Sequence, residues 1–176
     1  MTPRQIQFEA LVNAYSKDLY RYAVWLCRSP EVAEDLVQET FMRAWKALDS
    51  LQDPGSAKQW LITILRRENL RRFSRVQPEV QSLDEMDVER ITGLDDEFVQ
   101  HDDHSQNLGM EQALASLSLE YREPLLLQVL GGYSCEEIAQ QLDIKPGAVM
   151  TRLFRARQKL RKCFEDEDIV TDSKVK

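Results

Sequence analysis

Glycine and proline are scarce in this chain, which has six of each among 176 residues. Because both residues interrupt regular structure, such a low content favours helices. Cysteine is scarcer still: Cys27, Cys135 and Cys163 lie far apart and form no Cys-x-x-Cys pair. This number and spacing predict neither a disulfide framework nor a zinc site. Buried, reduced thiols are the expected state, and redox sensing is the alternative.

Long apolar runs are also lacking near the amino terminus. The segment from Met1 to Phe8 is not followed by one, so we expect neither a signal peptide nor a transmembrane span. The protein is therefore expected in the cytosol. With 43% hydrophobic residues, the chain has enough apolar side chains for the core of one domain or of two small ones.

Positive charge is confined to a small part of the chain. The net charge is -7, yet the segments 66–75 and 152–162 are strongly basic, and 79–109 between them has ten acidic residues against one arginine. Attraction to phosphate acts over a Debye length of about 10 Å at 0.1 M salt, so an acidic total does not exclude nucleic acid. We expect two polyanion-binding patches separated by an acidic spacer.

Apolar periodicity predicts three helices in the first part of the chain. One runs from Phe8 to Leu26, the next from Glu31 to Leu48, and the third from Lys58 to Arg75. Ser29 is the expected N-cap of the second helix, with Pro30 at its first position. The predicted buried stripe of this helix is Val32, Leu36, Val37, Phe41, Ala44, Trp45 and Leu48.

Residues 77–110 show no sustained apolar periodicity and contain most of the acidic run. We predict an acidic linker here, with at most short helical turns. The domain boundaries then give a first domain over 1–76 and a second over 111–176. The predicted fold is all-α, with two small helical domains and a helix-turn-helix in the second.

The pattern of the helix-turn-helix lies in the second domain. Gly131 and Gly132 end one helix, and Ser134 with Glu137 has the spacing of a capping box at the start of the next. A short turn then leads to a last helix, which we expect to enter a DNA major groove. The acidic tail from Glu165 onward is predicted to be frayed.

The last helix is cationic on the side opposite its apolar residues. Six cations and no acid occur across 152–162, a composition suited to phosphates and guanine edges. Groove geometry assigns base reading to the start of the helix and phosphate contacts to its later cations. A basic helix that faces solvent or another protein is the alternative. The DNA-binding residues predicted here are Lys145, Thr151, Arg152, Arg155, Arg157 and Lys159.

The first basic segment is flanked by two aromatic residues, Trp60 and Phe73. Aromatic rings beside arginines can hold unstacked bases, with stacking worth about 1 to 3 kcal/mol per base. We therefore expect contact with single-stranded DNA, and a core position for Trp60 is the alternative. The DNA-binding residues predicted here are Trp60, Arg66, Arg67, Arg71, Arg72 and Arg75.

The second helix has no cationic stripe. Its outward residues are Asp35, Gln38, Glu39 and Met42, which favour a protein-docking face over a merely solvated one.

A cluster of potential metal ligands lies in the linker, at His101, Asp102, Asp103 and His104. Its polar surroundings offer no supporting outer shell, so a solvated loop is the preferred interpretation. We predict no metal, no cofactor, no small-molecule substrate and no catalysis by this chain.

Three strings resemble the extracytoplasmic-function group of bacterial sigma factors, in the sigma-70 family. AEDLVQETFMRAW, residues 33–45, is similar to the region 2 helix that docks on the clamp helices of the polymerase β′ subunit. EYREPLLLQVLGGYSCEEIAQQLDIKPGAVMTRLFRARQKLR, residues 120–161, is similar to region 4, which reads the upstream promoter element. WLITILRRENLRRF, residues 60–73, occupies the position of the helix for promoter melting and the downstream element. The order and spacing of the strings make the resemblance specific.

The resemblance implies that the chain binds core RNA polymerase, through the β′ clamp helices and the β flap, and directs it to promoter DNA. It also implies an anti-sigma protein as the inhibitory partner. The alternative is a stand-alone helix-turn-helix repressor or activator, for which the last domain alone would suffice. The polymerase-binding residues implied by the resemblance are Asp35, Gln38, Glu39, Phe41, Met42 and Arg43.

Two of the departures of region 4 from the family pattern remove polar groups. Ala148 and Met150 stand where the family commonly has threonine and lysine. The first change removes a hydroxyl and the second removes a cation. Contacts to the upstream element are then expected to depend more on Thr151, Arg152 and Arg155.

Overall fold

A computed structural model describes residues 1–76 and 108–172, with side chains for 1–74 and 109–164. Within these ranges the chain consists of helices and contains no strand, which confirms the predicted all-α class. The described residues form two compact units, one built on 1–76 and the other on 108–129 and 133–172. The acidic linker, apart from its last three residues, lies outside the described residues, as does the cluster at 101–104.

The first unit contains three long helices and two short 3-10 turns. Helix α1 begins five residues before the predicted Phe8, because Thr2 caps it. The Thr2 hydroxyl accepts a hydrogen bond from the Gln5 amide at 3.3 Å, and the Thr2 amide donates to the Gln5 side chain at 2.7 Å. The helices are α1 (Pro3–Cys27), α2 (Pro30–Lys46) and α3 (Ala57–Val76), and the turns are Leu48–Ser50 and Pro54–Ser56.

The connection from α1 to α2 forms as the sequence predicted. Arg28 takes a left-handed conformation, with φ of 57°, and ends α1. The Ser29 hydroxyl then accepts a hydrogen bond from the Val32 amide at 3.4 Å, and Pro30 is the first residue of α2.

The buried face of α2 differs from the predicted stripe. Trp45, which was expected in the core, is 36% exposed, whereas Thr40 is fully buried. The Thr40 hydroxyl donates to the Leu36 carbonyl oxygen at 2.7 Å, so its burial leaves no unpaired donor. Small side chains on this face let α1 and α3 pack closely against α2, which displaces the larger rings to its edge. The buried residues of α2 are Ala33, Leu36, Thr40 and Ala44.

The second unit contains four helices. Helix α7 continues to Asp172, beyond Phe164, where a frayed tail was predicted. Helix α4 likewise starts three residues inside the predicted linker. The helices are α4 (Leu108–Ser116), α5 (Leu119–Val129), α6 (Cys135–Leu142) and α7 (Pro146–Asp172).

Helices α6 and α7 form the predicted helix-turn-helix. The Ser134 hydroxyl accepts from the Glu137 amide at 3.2 Å, and the Ser134 amide donates to the Glu137 carboxylate at 2.7 Å. Asp143, with φ of 54°, ends α6. The apolar corner between the two helices is closed by Ile138, Ala139, Val149, Leu153 and Ala156, all buried. These contacts fix the direction in which α7 leaves the turn.

No helix in the two described ranges has both the length and the apolar composition that a membrane span requires.

Candidate nucleic-acid and protein interfaces

An apolar groove lies between α1 and α2, with a volume of about 530 Å³. The Phe8 ring contacts Phe41 and Trp45 edge-on, with centroids 6.2 Å and 5.1 Å away. The groove is lined by three of the residues predicted to bind polymerase, Gln38, Phe41 and Met42. Phe41 had also been predicted in the buried stripe of α2. The lining consists of Phe8, Val12, Gln38, Phe41, Met42, Trp45 and Lys46. An apolar floor with a polar rim suits an apolar side chain or helix of a partner protein.

Arg4 borders this groove, and the sequence reasoning missed it. Its guanidinium lies over the Trp45 ring, 5.1 Å from the centroid, and donates to the Trp45 carbonyl oxygen at 2.8 Å. It also pairs with Asp49 at 3.0 Å. These partners lie more than 40 positions away in the sequence, so no local pattern could have identified the contact.

The outward acids of α2 have different surroundings. Asp35 is exposed, and its carboxylate lies 3.7 Å from the Arg72 guanidinium of α3. Glu39 pairs with Arg43 at 3.0 Å. Glu34 is also exposed. The pKa of Tyr20 is raised above 10.0, mainly by burial of the phenol and to a smaller extent by the negative charge of Glu34. The predicted docking acids of α2 therefore lie beside arginines.

Arg43, predicted to bind polymerase, is engaged by α3. Its Nε lies 2.7 Å from the carboxylate of Glu68, which is 7% exposed, and Glu68 also accepts from Arg71. Glu68 was the lone acid in the first basic segment, which is the signal that would have identified it. The network links the face of α2 to the cations of α3.

The arginines of the first basic segment differ in exposure. Arg66 is 7% exposed and lies in the core, whereas Arg67, Arg71 and Arg72 are exposed. The side chain of Arg75 lies beyond those that the structure describes. Three of the five predicted arginines are therefore placed at the surface of α3.

The two aromatic residues near these arginines also differ. Trp60 is half-buried and packs against the core cluster of Leu11, Leu48 and Ala57. Phe73 is 42% exposed. Trp60 therefore packs against the core, which was the alternative to a contact with single-stranded DNA. Of the two rings, Phe73 is the exposed one.

Helix α7 exposes most of its predicted DNA-binding residues. Thr151, Arg155, Arg157 and Lys159 are exposed, as is Lys145 before the helix. Within the second unit, several of these side chains also have protein partners. Arg152 lies 3.3 Å from the Glu120 carboxylate, Lys159 lies over the Tyr121 ring at 5.0 Å, and Arg157 donates to Gln128.

The sequence reasoning missed Phe154, which is 61% exposed between these cations. Its position falls outside the apolar period formed by Val149, Leu153 and Ala156, and that mismatch was the available signal. Met150, one turn earlier, is 62% exposed. The outward face of α7 therefore combines cations with two apolar side chains that can contact thymine methyl groups.

The three cysteines form no disulfide, and all are half-buried. The Cys27 thiol lies 3.5 Å from the Asn69 side-chain oxygen, and the Cys163 sulfur lies 3.7 Å from the Ser116 hydroxyl. The expected burial of these thiols is thus only partial.

Comparisons with known proteins assign both units. The family model for Sigma-70 region 2 matches residues 11–78, and the model for Sigma-70, region 4 matches residues 108–160. Among curated proteins, the ECF RNA polymerase sigma factor SigE of Mycolicibacterium smegmatis is 36% identical over 161 residues, which are 88% of this chain. This chain spans 60% of the length of that relative.

Two further comparisons cover most of both partners. The ECF RNA polymerase sigma factor SigL of Mycobacterium tuberculosis is 32% identical over 160 residues, covering 89% of this chain and 88% of the relative. Among solved structures, the sigma factor RpoE in complex with the anti-sigma factor NepR, from Bartonella quintana, matches with a TM-score of 0.70 and 28% identity. That match covers 90% of this chain and 97% of the other.

Proposed function

The chain belongs to the extracytoplasmic-function sigma factors of the sigma-70 family, and on that premise we propose that it binds core RNA polymerase and directs promoter-specific initiation of transcription. The observation that carries the proposal is the presence of region 2 and region 4 in one chain, in which α7 of region 4 has an exposed cationic face. A stand-alone helix-turn-helix regulator would need only the second of these regions.

The proposed division of labour follows the two regions. Residues 1–76 dock on polymerase and capture the opened strand, residues 111–176 read duplex DNA at the upstream element, and the acidic residues of 77–110 act as a spacer. Sigma factors are not enzymes, so polymerase catalyses RNA synthesis and this chain recognises the promoter.

The polymerase-docking surface comprises the α1–α2 groove and the exposed residues beside it. Gln38, Phe41 and Met42 line the groove, and Asp35 and Glu39 lie on the same helix. Met42 is 57% exposed, and burying it against a partner helix removes apolar surface from water. The partner element implied by family resemblance is the β′ clamp-helix pair. Arg43 lies on the same helix, where its guanidinium pairs with both Glu39 and Glu68.

The DNA-binding surfaces are the exposed cations of α3 and α7. Arg67, Arg71 and Arg72 of α3 are available to the phosphates of a melted strand, with Phe73 as a ring on which a base can stack. On α7, Thr151 lies in the first turns, which reach base edges, and Arg155 follows one turn later. Because Arg155 lies farther from the start of the helix, we expect it to contact a phosphate.

An inhibitory partner of the anti-sigma class is also proposed. The solved sigma factor that matches this chain over 97% of its own length is bound to an anti-sigma factor. The proposal for this chain rests on that similarity and on its family membership.

Run-off transcription with purified core polymerase over a promoter library tests the function. We expect template-specific transcripts only when the chain and core polymerase are both present. Met42→Arg should abolish these transcripts, because it places a charge on the apolar docking surface. Ile6→Arg is the matched control, since Ile6 is 55% exposed and does not line the groove. The stand-alone regulator would be the correct assignment if the chain protected duplex promoter sites in the absence of polymerase and gave no transcripts when polymerase was added.

A further inference from the structure

A buried carboxylate connects the helix proposed to dock polymerase with the helix proposed to contact the strand. Glu68 lies on α3 and is 7% exposed. Its Oε1 atom lies 2.7 Å from Arg43 Nε of α2 and also accepts a hydrogen bond from Arg71 Nη1 of α3. Glutamate is seldom buried to this degree unless cations pair with it, so the two arginines account for its position.

The two arginines are exposed to different degrees. The Arg43 side chain is 39% exposed, and its Nε also pairs with Glu39 at 3.0 Å. The Arg71 side chain is 50% exposed. A guanidinium has five N–H donors in a rigid planar fork, so one edge of Arg71 can bind Glu68 while the other edge faces outward.

We propose that Glu68 is a positioning residue, which holds the Arg71 guanidinium in one orientation so that its outer edge can meet a phosphate of the melted strand. This inference rests on the proposed function, in which Arg71 contacts that strand. An unrestrained arginine loses rotamer freedom when it binds a phosphate. With Glu68 in place, that ordering is complete when the protein folds, and strand binding is correspondingly stronger.

Charge alone predicts the opposite effect for this residue. Removing a carboxylate beside a cationic surface makes the local potential more positive, which should strengthen binding to a polyanion. The positioning role predicts weaker binding, because Arg71 is released from its fixed orientation. The direction of the change therefore distinguishes the two effects.

The test is a titration of a fluorescein-labelled oligothymidylate with the whole 176-residue chain. Binding is measured by fluorescence anisotropy at several KCl concentrations between about 50 and 200 mM. We expect Glu68→Gln to weaken binding about two- to tenfold, the range for loss of one preordered side chain. We expect the salt slope to be unchanged, because the released Arg71 keeps its charge and still meets a phosphate, at the cost of its rotamer freedom. Arg71→Gln should lower the slope by about 0.7, the value for one phosphate contact on a single strand, and the double variant should bind no more weakly than Arg71→Gln alone.

Two control variants separate positioning from charge and from stability. Glu34→Gln removes one exposed acid of α2 that lies outside the network, and it should not weaken oligothymidylate binding. Thr40→Val removes the buried hydrogen bond to Leu36 in the same unit. It should lower the stability of the unit to urea while leaving the affinity for oligothymidylate unchanged.

Each contrary result has a separate meaning. If Glu68→Gln binds as tightly as the original chain or more tightly while Arg71→Gln binds weakly, the positioning role is wrong and the strand contact of Arg71 stands. If Arg71→Gln binds like the original chain, Arg71 does not contact the strand, and both the contact and the positioning role are wrong.

Arg71→Lys provides the test should Glu68→Gln fail to fold. Lysine keeps the charge at this exposed site, but a single ammonium group lacks the two edges needed to bind Glu68 and a phosphate in a fixed geometry. We expect Arg71→Lys to weaken binding as Glu68→Gln does. Unchanged affinity in Arg71→Lys would show that a point charge suffices, and the positioning role would be wrong.

Discussion

The Arg4 guanidinium lies over the Trp45 ring at 5.1 Å and donates to the Trp45 carbonyl oxygen at 2.8 Å. The last carbonyl groups of a helix lack partners within the helix, so a cation from elsewhere in the chain satisfies one of them here. The first turn of α1 is thereby attached to the carboxyl end of α2. Trp45 is held as one wall of the apolar groove.

Replacing Arg4 with glutamine should lower the free energy of unfolding by about 1 kcal/mol. The Arg4 side chain is 40% exposed, so its ion pair with Asp49 contributes little, and the cation–π contact supplies most of the loss. Urea unfolding measures this change. Arg21→Gln, an exposed cation on the same helix, should change it by less than about 0.5 kcal/mol. Equal losses in the two variants would contradict a specific role for the Arg4 contact.

Trp45→Ala should reduce affinity for core polymerase by about thirtyfold or more, because large aromatic residues at the centre of an interface commonly contribute at least 2 kcal/mol. Binding of labelled chain to core polymerase without DNA measures the effect. Phe73→Ala is the matched control, since its ring is 42% exposed, against 36% for Trp45. Comparable losses in both variants would exclude the groove as the main docking surface.

Ser134→Ala should lower the stability of the second unit by about 1 kcal/mol, the usual contribution of an N-cap. The variant removes the hydroxyl that accepts from the Glu137 amide at the start of α6. Ser134→Asp should retain most of the stability, because aspartate is also a strong N-cap. If alanine and aspartate give the same unfolding free energy, the capping box does not contribute to stability.

Arg155→Gln should weaken duplex binding similarly at all promoters and lower the salt slope by about 0.9, as expected for one phosphate contact on duplex DNA. Arg155 is exposed on α7. Arg152→Gln should lower the slope by a smaller amount, since Glu120 at 3.3 Å already neutralises part of the Arg152 charge. Promoter-binding titrations over a range of salt measure both slopes. A loss confined to a few promoters would assign base reading to Arg155 instead.

Features set by neighbours in the sequence could be predicted before the structure was known. The Ser29 cap and the Ser134–Glu137 capping box involve residues only three positions apart, so their residue types suffice to identify them. The apolar corner of the helix-turn-helix likewise follows the helical period. The start of α1 was missed although Thr2 and Gln5 have the same spacing, because Ile6 is the only large apolar side chain before Phe8 in this helix and no apolar period begins there.

The sequence by itself determined the helical class, the helix-turn-helix and the segregation of charge, and its motifs indicated the sigma-factor family. These properties depend on local hydrogen bonds, on the helical period and on composition. Only the tertiary structure decided that Thr40 is buried while Trp45 lines a groove, and that Arg66 is buried while Arg67 is exposed. The physical reason is that the burial of a side chain, and the partner it pairs with, depend on which residues of a neighbouring helix pack against it.

The basic segment 66–75 illustrates this division. Its composition predicted a cationic surface, but the structure places one of its arginines in the core and pairs another with Glu68. That glutamate, in turn, is bound by an arginine of α2 that lies 25 positions earlier in the sequence. Contacts between residues so far apart form only when the helices pack, so no local pattern in the sequence specifies them.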